Sequence, residues 1–575
     1  MNRDKLPIFL VGRKIFIAPA IQNWSSMARI LVIQLGRLGD VIQTTPLLGE
    51  LLKNNRAGSV DVLVFDSLRE IVEDIGLRKV HGLPEHSLPI TMLEMDKTIE
   101  QSRANPGSIP REAQEMLRNL ALPGYDRIVN CTYSPSGAFI AKNTKSKNVI
   151  GPVINSTGEM LFHHPAQIYL CARANFRGQN WFNLVDLWRA SGQPFAGESI
   201  LVRSHVPVAS QLPFKIPAGR IVALNPGSSS AVRRWPPADF AFLAKGLVSH
   251  GLVPALIGAP SDREICAEVQ ARSTVKIANF CGKTSVPELA FFLTHADLLV
   301  SNDTGAIHIA AAVGCRTLSL FGSTAYFAET APWDEGHVIL QGPLGSDLVL
   351  LNPQLVLAAT LYCLGLMDES ELRAELARQN ACAWETFCLK PEADPLGGIS
   401  YQPLHQNQFS PDQIFTRELR HLFAHVFCAT RGILKSEDST SNSEPPSGPS
   451  SIRSARARDI QTQRFVALLE SMAEAAARCR FLCGRPTREN AAEISALSAN
   501  LVNAMEELKA RSESYVRTKP VIHFLDWTSR MMDPMAPDAT FLAHEQAYQL
   551  AARLLREAES RAESKLENFS FLAPC

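Results

Sequence analysis

Two segments of this chain join an apolar strand, a turn of small residues with one acid, and a helix-like stretch. They are ILVIQLGRLGDVIQTTPLL at residues 30–48 and LLVSNDTGAIHIAAAV at residues 298–313. Such apolar runs are typical of strands buried on both faces of a parallel sheet. The turns would place Asp40 and Asp303 at the carboxyl ends of their strands, where open α/β sheets bind ligands. The sequence therefore predicts two α/β units that face each other across a cleft.

Strand-like and helix-like segments alternate in two series, and a proline-containing linker at residues 206–219 separates them. This alternation predicts two parallel-sheet α/β domains. We place the first at residues 27–205 and the second, with its closing helices, at residues 206–435. Within the second series, SVPELAFFLTHA is predicted to be a helix with Ser285 as N-cap and Glu288 completing a capping box.

The remaining segments differ in composition. Residues 1–26 precede the first core strand and are predicted to be an N-terminal extension. Residues 436–452 have almost no apolar side chains, which predicts a disordered linker. Residues 453–575 are rich in Ala, Leu, Glu and Arg and are predicted to form a helical accessory module. The sequence of this module does not indicate what it does.

Charge, cysteine content and hydropathy argue against several classes of protein. The chain has 57 basic and 57 acidic side chains, so it lacks the basic footprint of a nucleic-acid-binding protein. Its 12 cysteines lack the paired CxxC spacing of a zinc site and are expected to be reduced thiols of a cytoplasmic protein. No apolar run reaches the ~18–20 residues that span a bilayer. Arg13 and Lys14 interrupt the N-terminal apolar run, which argues against a secretion signal.

The turn GRLGD carries the first candidate for chemistry. Gly36 and Gly39 allow a sharp turn and a close approach of the backbone to a ligand. Asp40 follows just past the strand, where a carboxylate could accept the proton of an attacking hydroxyl. It could also do no more than cap the following helix. The spacing leaves both roles open.

The segment NPGSSSAVRRWP follows a strand of the second series. Ser228, Ser229 and Ser230 leave backbone N–H groups accessible, and Arg233 or Arg234 supplies a fixed positive charge. Together they suit a diphosphate, which accepts hydrogen bonds and favours a bidentate guanidinium. A solvated turn with two surface arginines is the alternative. Trp235 is expected to be a packing residue.

The segment SNDTGAIH predicts a helix that starts at Thr304 and Gly305, where free amides and the helix dipole favour an anion. Asp303 would repel a phosphate, so we expect it to bond the hydroxyls of a sugar beside that phosphate. His308 lies on the first helical turn. A structural hydrogen bond and a ligand contact are both open for it.

In this order, the three segments resemble the bacterial lipopolysaccharide heptosyltransferase family over residues 28–341, and more weakly to about residue 426. The resemblance implies the GT-B fold, in which two Rossmann-like domains face a cleft; the C-terminal helical extension lies outside the family pattern. It implies an inverting glycosyltransferase that moves heptose from ADP-heptose to the core of lipopolysaccharide.

The resemblance also implies roles for single residues. Asp40 matches the catalytic base. Ser228 and Ser229 match hydroxyl residues that contact the donor diphosphate, and Arg233 stands where a phosphate-binding lysine is usual. Thr304 and Gly305 match the segment that holds the phosphate, and Asp303 the one that holds the donor sugar. The acid that usually grips the adenosine ribose follows the GA turn, here GAPSDRE, which leaves Asp262 and Glu264 as candidates. Gly39 and His308 complete the candidate site.

Three hypotheses follow. The first is heptose transfer by direct in-line displacement. For this reaction the sequence indicates no cofactor, and it has no DxD triplet that would indicate a metal. The second is a glycosyltransferase of the same fold that uses another nucleotide sugar for a different surface glycan. The third is a non-catalytic sugar-binding scaffold.

An acceptor in the inner membrane would also require peripheral membrane contact, for which the basic and apolar residues 3–16 form a candidate surface; an unstructured extension is the alternative.

Overall fold

The computed structural model of this chain describes residues 8–11, 14–17, 28–55, 58–84, 111–146, 148–154, 160–162, 164–173, 177–192, 204–344, 348, 351–380, 386–394, 398–404, 417, 420, 423, 466–477, 488–514, 520–523, 547–556 and 558. Its contacts divide the chain into two compact units. One comprises Ser25–Leu161 and Trp181–Gln408, and the other comprises Met1–Trp24, Phe162–Asn180 and Phe409–Cys575.

The strands, in chain order, are β1 (Ile8–Val11), β2 (Lys14–Ile17), β3 (Arg29–Ile33), β4 (Ser59–Phe65), β5 (Lys79–Leu83), β6 (Arg127–Asn130), β7 (Val149–Ile150), β8 (Val153–Ile154), β9 (Met160–Leu161), β10 (Ile221–Asn225), β11 (Val253–Leu256), β12 (Ala278–Asn279), β13 (Leu298–Asn302), β14 (Thr317–Ser323), β15 (Val338–Leu344), β16 (Phe387–Ala393) and β17 (Ile399–Pro403).

The α-helices are α1 (Leu38–Asn54), α2 (Arg111–Leu120), α3 (Pro135–Asn143), α4 (Pro165–Ala172), α5 (Leu184–Gly192), α6 (Pro237–Ser249), α7 (Arg263–Arg272), α8 (Val286–Leu293), α9 (Gly305–Ala312), α10 (Phe327–Thr330), α11 (Pro353–Cys363), α12 (Glu369–Asn380) and α13 (Arg488–Ser514).

The first unit contains two large sheets that confirm the predicted α/β class, and a short antiparallel pair, β8–β9. Five parallel strands form one sheet in the order β5-β4-β3-β6-β7. Eight strands form the other in the order β12-β11-β10-β13-β14-β15-β16-β17, and its first six are parallel. The last two, β16 and β17, add antiparallel pairs that the sequence pattern did not indicate.

Apart from the exposed Arg29 at the start of β3, the central strands of both sheets are buried, as expected for parallel sheets covered by helices. Residues 30–33 of β3 and residues 298–300 of β13 have no exposed surface. In each sheet the strand order reverses beside one of these strands, and ligands bind at such switch points in open α/β sheets. The strand order therefore directs attention to the β3–α1 and β13–α9 turns.

Local sequence signals start the helices where they were expected. Helix α8 begins after Ser285, whose Oγ accepts from the Glu288 N–H at 3.4 Å, while the Glu288 carboxylate accepts from the Ser285 N–H at 2.7 Å. This reciprocal pair confirms the predicted capping box. Helix α9 begins after Thr304, whose Oγ1 accepts from the Ala306 N–H at 3.3 Å.

The second unit is described by fewer residues. It holds the antiparallel hairpin β1–β2, helix α4, and helical residues 466–477, 488–514, 520–523 and 547–556. Residues 8–17 belong to the predicted N-terminal extension, for which no strand was expected, and here eight of them pair as strands. The predicted linker at residues 436–452 lies outside the described residues, and the domain boundaries inferred from the sequence remain predictions. Within the described part of the chain, no helix is both long and apolar enough to cross a bilayer.

Candidate functional site

Asp40 is the third residue of α1, and it caps this helix. Its Oδ2 accepts a hydrogen bond from the Arg37 backbone N–H at 2.8 Å, and the residue is partly buried. The capping role considered from the sequence is therefore present. It does not exclude proton acceptance, because Asp40 also stands at the carboxyl end of β3 beside the switch point.

Gly36 allows the turn to fold against this carboxylate. A Cβ at this position would lie 2.7 Å from both Cβ and Oδ2 of Asp40 and 2.8 Å from Oε1 of Gln34. Thr132, which follows β6, holds the same turn because its Oγ1 accepts from the Leu35 N–H at 2.7 Å. The sequence had not indicated Thr132, since the pairing of β3 with β6 brings together residues 97 positions apart.

In the second sheet, Asn302 holds residues 226–230, here called the serine loop. This completely buried amide donates to the carbonyls of Pro226 at 2.9 Å and Gly227 at 3.1 Å, and it accepts from the Trp235 N–H at 3.1 Å. Trp235 is itself fully buried, which confirms that it packs in the core. Asn302 had not been singled out, although it directly precedes the candidate Asp303.

The two serines of this loop have different surroundings. Ser228 is 5% exposed, and its Oγ has no hydrogen-bond partner among the described residues. Buried hydroxyls without a partner are rare in folded proteins and call for an explanation. Ser229 Oγ accepts a hydrogen bond from Nη1 of Arg37 at 3.3 Å, and this bond joins the β3–α1 turn to the serine loop.

Arg233 and Asp303, which were given separate roles, contact each other. Nη1 of Arg233 lies 3.3 Å from Oδ2 of Asp303, and its Nε donates to Oγ1 of Thr324 at 2.7 Å. Thr330 donates to the other Asp303 oxygen at 3.1 Å. The Asp303 side chain is only 11% exposed, and burial raises its pKa although Arg233 and Thr330 act in the opposite direction.

Arg234 is used differently. Its Nε and Nη2 donate to the Ser228 carbonyl oxygen at 3.0 and 2.8 Å. Of the two arginines left open by the sequence, Arg234 therefore braces the serine loop, and Arg233 contacts the acid that opens the α9 turn. Asn225 Nδ2 completes this end of the sheet by donating to Oγ1 of Thr304 at 2.8 Å.

The amino termini of α1 and α9 meet at a contact that we call the seam. A Cβ on Gly39 would lie 3.0 Å from Cδ2 of His308, and one on Gly305 would lie 3.4 Å from Cδ2 of Leu38. His308 is 5% exposed, and burial lowers its pKa to about 4, so its imidazole is neutral at pH 7. Because helix N-termini carry partial positive charge, the seam favours an anion nearby.

The geometry distinguishes the two candidate ribose acids. A Cβ on Gly227 would lie 2.3–2.5 Å from the carboxyl atoms of Asp262, which also accepts from the Ala259 N–H at 2.9 Å. Asp262 therefore lies against the serine loop at the carboxyl end of β10. Glu264 is exposed on α7, and its side chain has no described contact with that loop.

These contacts bring residues that follow strands of both sheets together within one compact unit. The pKa of Asp303 is raised mainly by burial, and the negative charge of Asp40 adds to this effect. Arg37 contacts the serine loop, which Arg233 and Arg234 border. Among the described residues, no group of three or more His, Cys, Asp or Glu could hold a metal ion. Opposed carboxylates and guanidiniums suit a reaction that moves a proton at one point and stabilises negative charge at another.

Part of the sequence that forms this site has known relatives. Residues 114–347 match the profile of glycosyltransferase family 9 (heptosyltransferase). Over this stretch, about two fifths of its length, the chain is similar to glycosyltransferase family 9. The matched stretch contains the serine loop and α9, and Asp40 precedes it.

Similar curated proteins are lipopolysaccharide-type heptosyltransferases. Lipooligosaccharide heptosyltransferase 2 of Campylobacter jejuni is 30% identical to this chain over 161 residues, which cover 25% of the chain and 49% of that protein. Lipopolysaccharide heptosyltransferase 3 of Escherichia coli is 22% identical over 312 residues, or 52% of the chain and 85% of that protein. The chain thus spans about half the length of the Campylobacter relative.

Two solved structures are also similar. The glycosyl transferase family 9 from Veillonella parvula has 17% identity and a TM-score of 0.46, covering 59% of this chain and 97% of that one. The E. coli heptosyltransferase WaaC with ADP has 16% identity and a TM-score of 0.42, covering 58% and 99%.

Proposed function

We propose that this chain is an inverting glycosyltransferase of family 9 that transfers heptose from ADP-heptose to a lipopolysaccharide core acceptor. One observation carries the proposal. The bond between Arg37 and Ser229 and the contact of Gly39 with His308 bring the turn of Asp40, after β3, to the Arg233–Asp303 pair of the other sheet, and these residues border the proposed cleft. The heptosyltransferase names of the sequence relatives support the choice of sugar.

The reaction assigned to this cleft is a direct displacement. The acceptor hydroxyl oxygen forms a bond to the anomeric carbon while the bond from that carbon to the phosphate oxygen breaks. Asp40 takes the hydroxyl proton. ADP leaves with added negative charge, which the Arg233 guanidinium, the serine loop and the amides at Thr304–Gly305 stabilise. Displacement from the face opposite the leaving group inverts the anomeric centre.

Roles for the remaining candidates follow from their positions. Asp303, beside the anion site but largely buried, is assigned to the hydroxyls of the donor sugar. Asp262 is assigned to the adenosine ribose, because it lies against Gly227 in the serine loop. Gly39 and His308 form the seam and are assigned to positioning.

The decisive experiment measures heptose transfer by the Asp40→Asn variant. The readout is ADP release from ADP-heptose in the presence of purified lipopolysaccharide core. We expect a loss of about 10²–10⁴-fold, the usual contribution of a general base, with ADP affinity retained. Asp368→Asn, which removes the same charge from an exposed helix cap, is the control and should retain full activity. Asp40→Asn turnover within about threefold of the wild type would refute the assigned base.

The donor is tested separately. Titration calorimetry should give tighter binding of ADP than of UDP or GDP; preference for another base would favour a different nucleotide sugar. Wild-type protein that binds ADP but releases none from ADP-heptose with acceptor would instead favour a sugar-binding scaffold.

We further propose that the chain acts at the cytoplasmic face of the inner membrane. Loss of liposome co-sedimentation on deleting residues 1–26 would support this location, and unchanged co-sedimentation would count against that segment.

A further inference from the structure

Arg37 has a position that none of the assigned roles uses. It is the N-cap residue of α1, its side chain is exposed, and its backbone N–H donates to Asp40. Its guanidinium donates from Nη1 to Ser229 Oγ at 3.3 Å. Arg37 and Ser229 are 192 positions apart and lie in turns that follow strands of different sheets. A cation of the first sheet thus lies on the loop that is assigned to the donor's phosphates.

The arginines around this loop differ in how much of their bonding capacity is occupied. Arg233 is bonded to the Asp303 carboxylate and to Thr324, so part of its charge is already compensated. Arg234 directs two donors at the Ser228 carbonyl. Arg37 has a neutral partner, Ser229, through one of its five N–H groups, and no described carboxylate pairs with its guanidinium. Arg37 therefore has the largest remaining capacity to bind an anion.

The surroundings of Arg37 favour a phosphate group. Ser228 directly precedes Ser229, the partner of Arg37. Only 5% of Ser228 is exposed, and its Oγ has no hydrogen-bond partner among the described residues. The N-termini of α1 and α9 add partial positive charge at the seam. A guanidinium binds phosphate oxygens in bidentate geometry, which is stronger and more directional than its present bond to a hydroxyl.

We propose that Arg37 is a second diphosphate-binding residue, which reaches the donor from the first sheet and replaces its bond to Ser229 with bonds to phosphate oxygens. This inference rests on the proposed function, since it names a further residue for the same reaction. Because Arg37 and the serine loop belong to opposite walls of the cleft, the phosphate links the two walls. The positive charge also counters the negative charge that develops on the departing nucleotide.

The test compares Arg37→Ala and Arg37→Lys with the wild type. Calorimetry with ADP should show about a 10–100-fold weaker Kd for Arg37→Ala, as expected for losing hydrogen bonds to a charged group. Arg37→Lys should recover part of the loss, because lysine retains the charge without the planar fork. The matched control is Arg378→Ala, which removes an arginine that is 69% exposed on α12 and should leave the ADP Kd unchanged.

Steady-state kinetics then separate diphosphate binding from other roles. We expect Arg37→Ala to raise the donor KM and lower kcat, while the acceptor KM stays the same. An ADP Kd within twofold of the wild type, measured for folded Arg37→Ala or, should it not fold, for Arg37→Lys, would overturn the inference. So would a raised acceptor KM with unchanged ADP affinity. Wild-type protein that binds no nucleoside diphosphate would instead refute the proposed function itself, and the inference with it.

Discussion

Gly39 and His308 touch where the first turn of one helix meets the first turn of another. A Cβ on Gly39 would stand 3.0 Å from Cδ2 of His308, closer than side chains normally approach. The two residues lie in the first turns of helices that follow the central strands of different sheets. The contact therefore sets how closely the two carboxyl ends, with Asp40 on one and Asp303 on the other, can approach each other.

Gly39→Ala should lower the kcat of transfer clearly, while its effect on the thermal midpoint of unfolding should be smaller. The added methyl group pushes against His308 and displaces the start of α1, which carries Asp40, by a few tenths of an ångström or more. Small misplacements of reacting groups lower rates by up to about 100-fold. The measurement is kcat together with the thermal midpoint. Gly124→Ala, whose Cβ would be 3.7 Å from its nearest neighbours, is the control. An unchanged kcat for Gly39→Ala would show that the seam does not position Asp40.

Asn302→Ala should destabilise the fold and disorganise the serine loop. The substitution leaves two carbonyls and the Trp235 N–H without their buried partner, and each unsatisfied group costs about 1–3 kcal/mol. We expect a loss of roughly 2–4 kcal/mol in the free energy of unfolding, measured by urea titration. Asn143→Ala, which removes one partly buried bond to Phe139, should cost about 1 kcal/mol. Equal losses for the two variants would contradict the bracing role of Asn302.

Asp303→Asn should raise the thermal midpoint at pH 7.5 while it weakens donor binding. Burial raises the pKa of Asp303, so the folded state disfavours the carboxylate relative to the unfolded chain. The contribution of this group is therefore most favourable at low pH and declines as pH rises through the folded pKa, and a neutral amide avoids this cost. A lowered midpoint would mean that the ion pair with Arg233 outweighs the burial. Differential scanning calorimetry provides the measurement.

His308 should make stability fall in acid. Its pKa is about 4 in the folded chain and near 6.5 when exposed, so the unfolded state binds the proton more readily. The stability contributed by neutral His308 is full above about pH 6.5 and declines toward pH 4, by on the order of 2 kcal/mol at pH 5. His308→Gln removes this titration. Unfolding free energies of both proteins between pH 7.5 and pH 5 should diverge by that amount, and parallel curves would contradict the assignment.

Local patterns identified much of the fold. The apolar runs at β3 and β13, the capping box of Ser285 and Glu288, and the helix start after Thr304 all follow from neighbours in sequence. The antiparallel strands β16 and β17 were not anticipated, because their pairing depends on β15, more than forty residues earlier in the chain. The short strands in residues 8–17 were likewise not predicted, and their pairing is seen only in the structure.

What the sequence determined by itself is the pair of strand–turn–helix units and the acids at their turns, since side-chain periodicity, glycine placement and helix capping act over a few residues. Only the tertiary structure decided that Arg37 meets Ser229, that Arg233 pairs with Asp303, and that Asp262 rather than Glu264 lies against the serine loop. These contacts join residues between 35 and 192 positions apart. Strand order brings them together, and strand order is set by the burial of whole sheets, which no local pattern encodes.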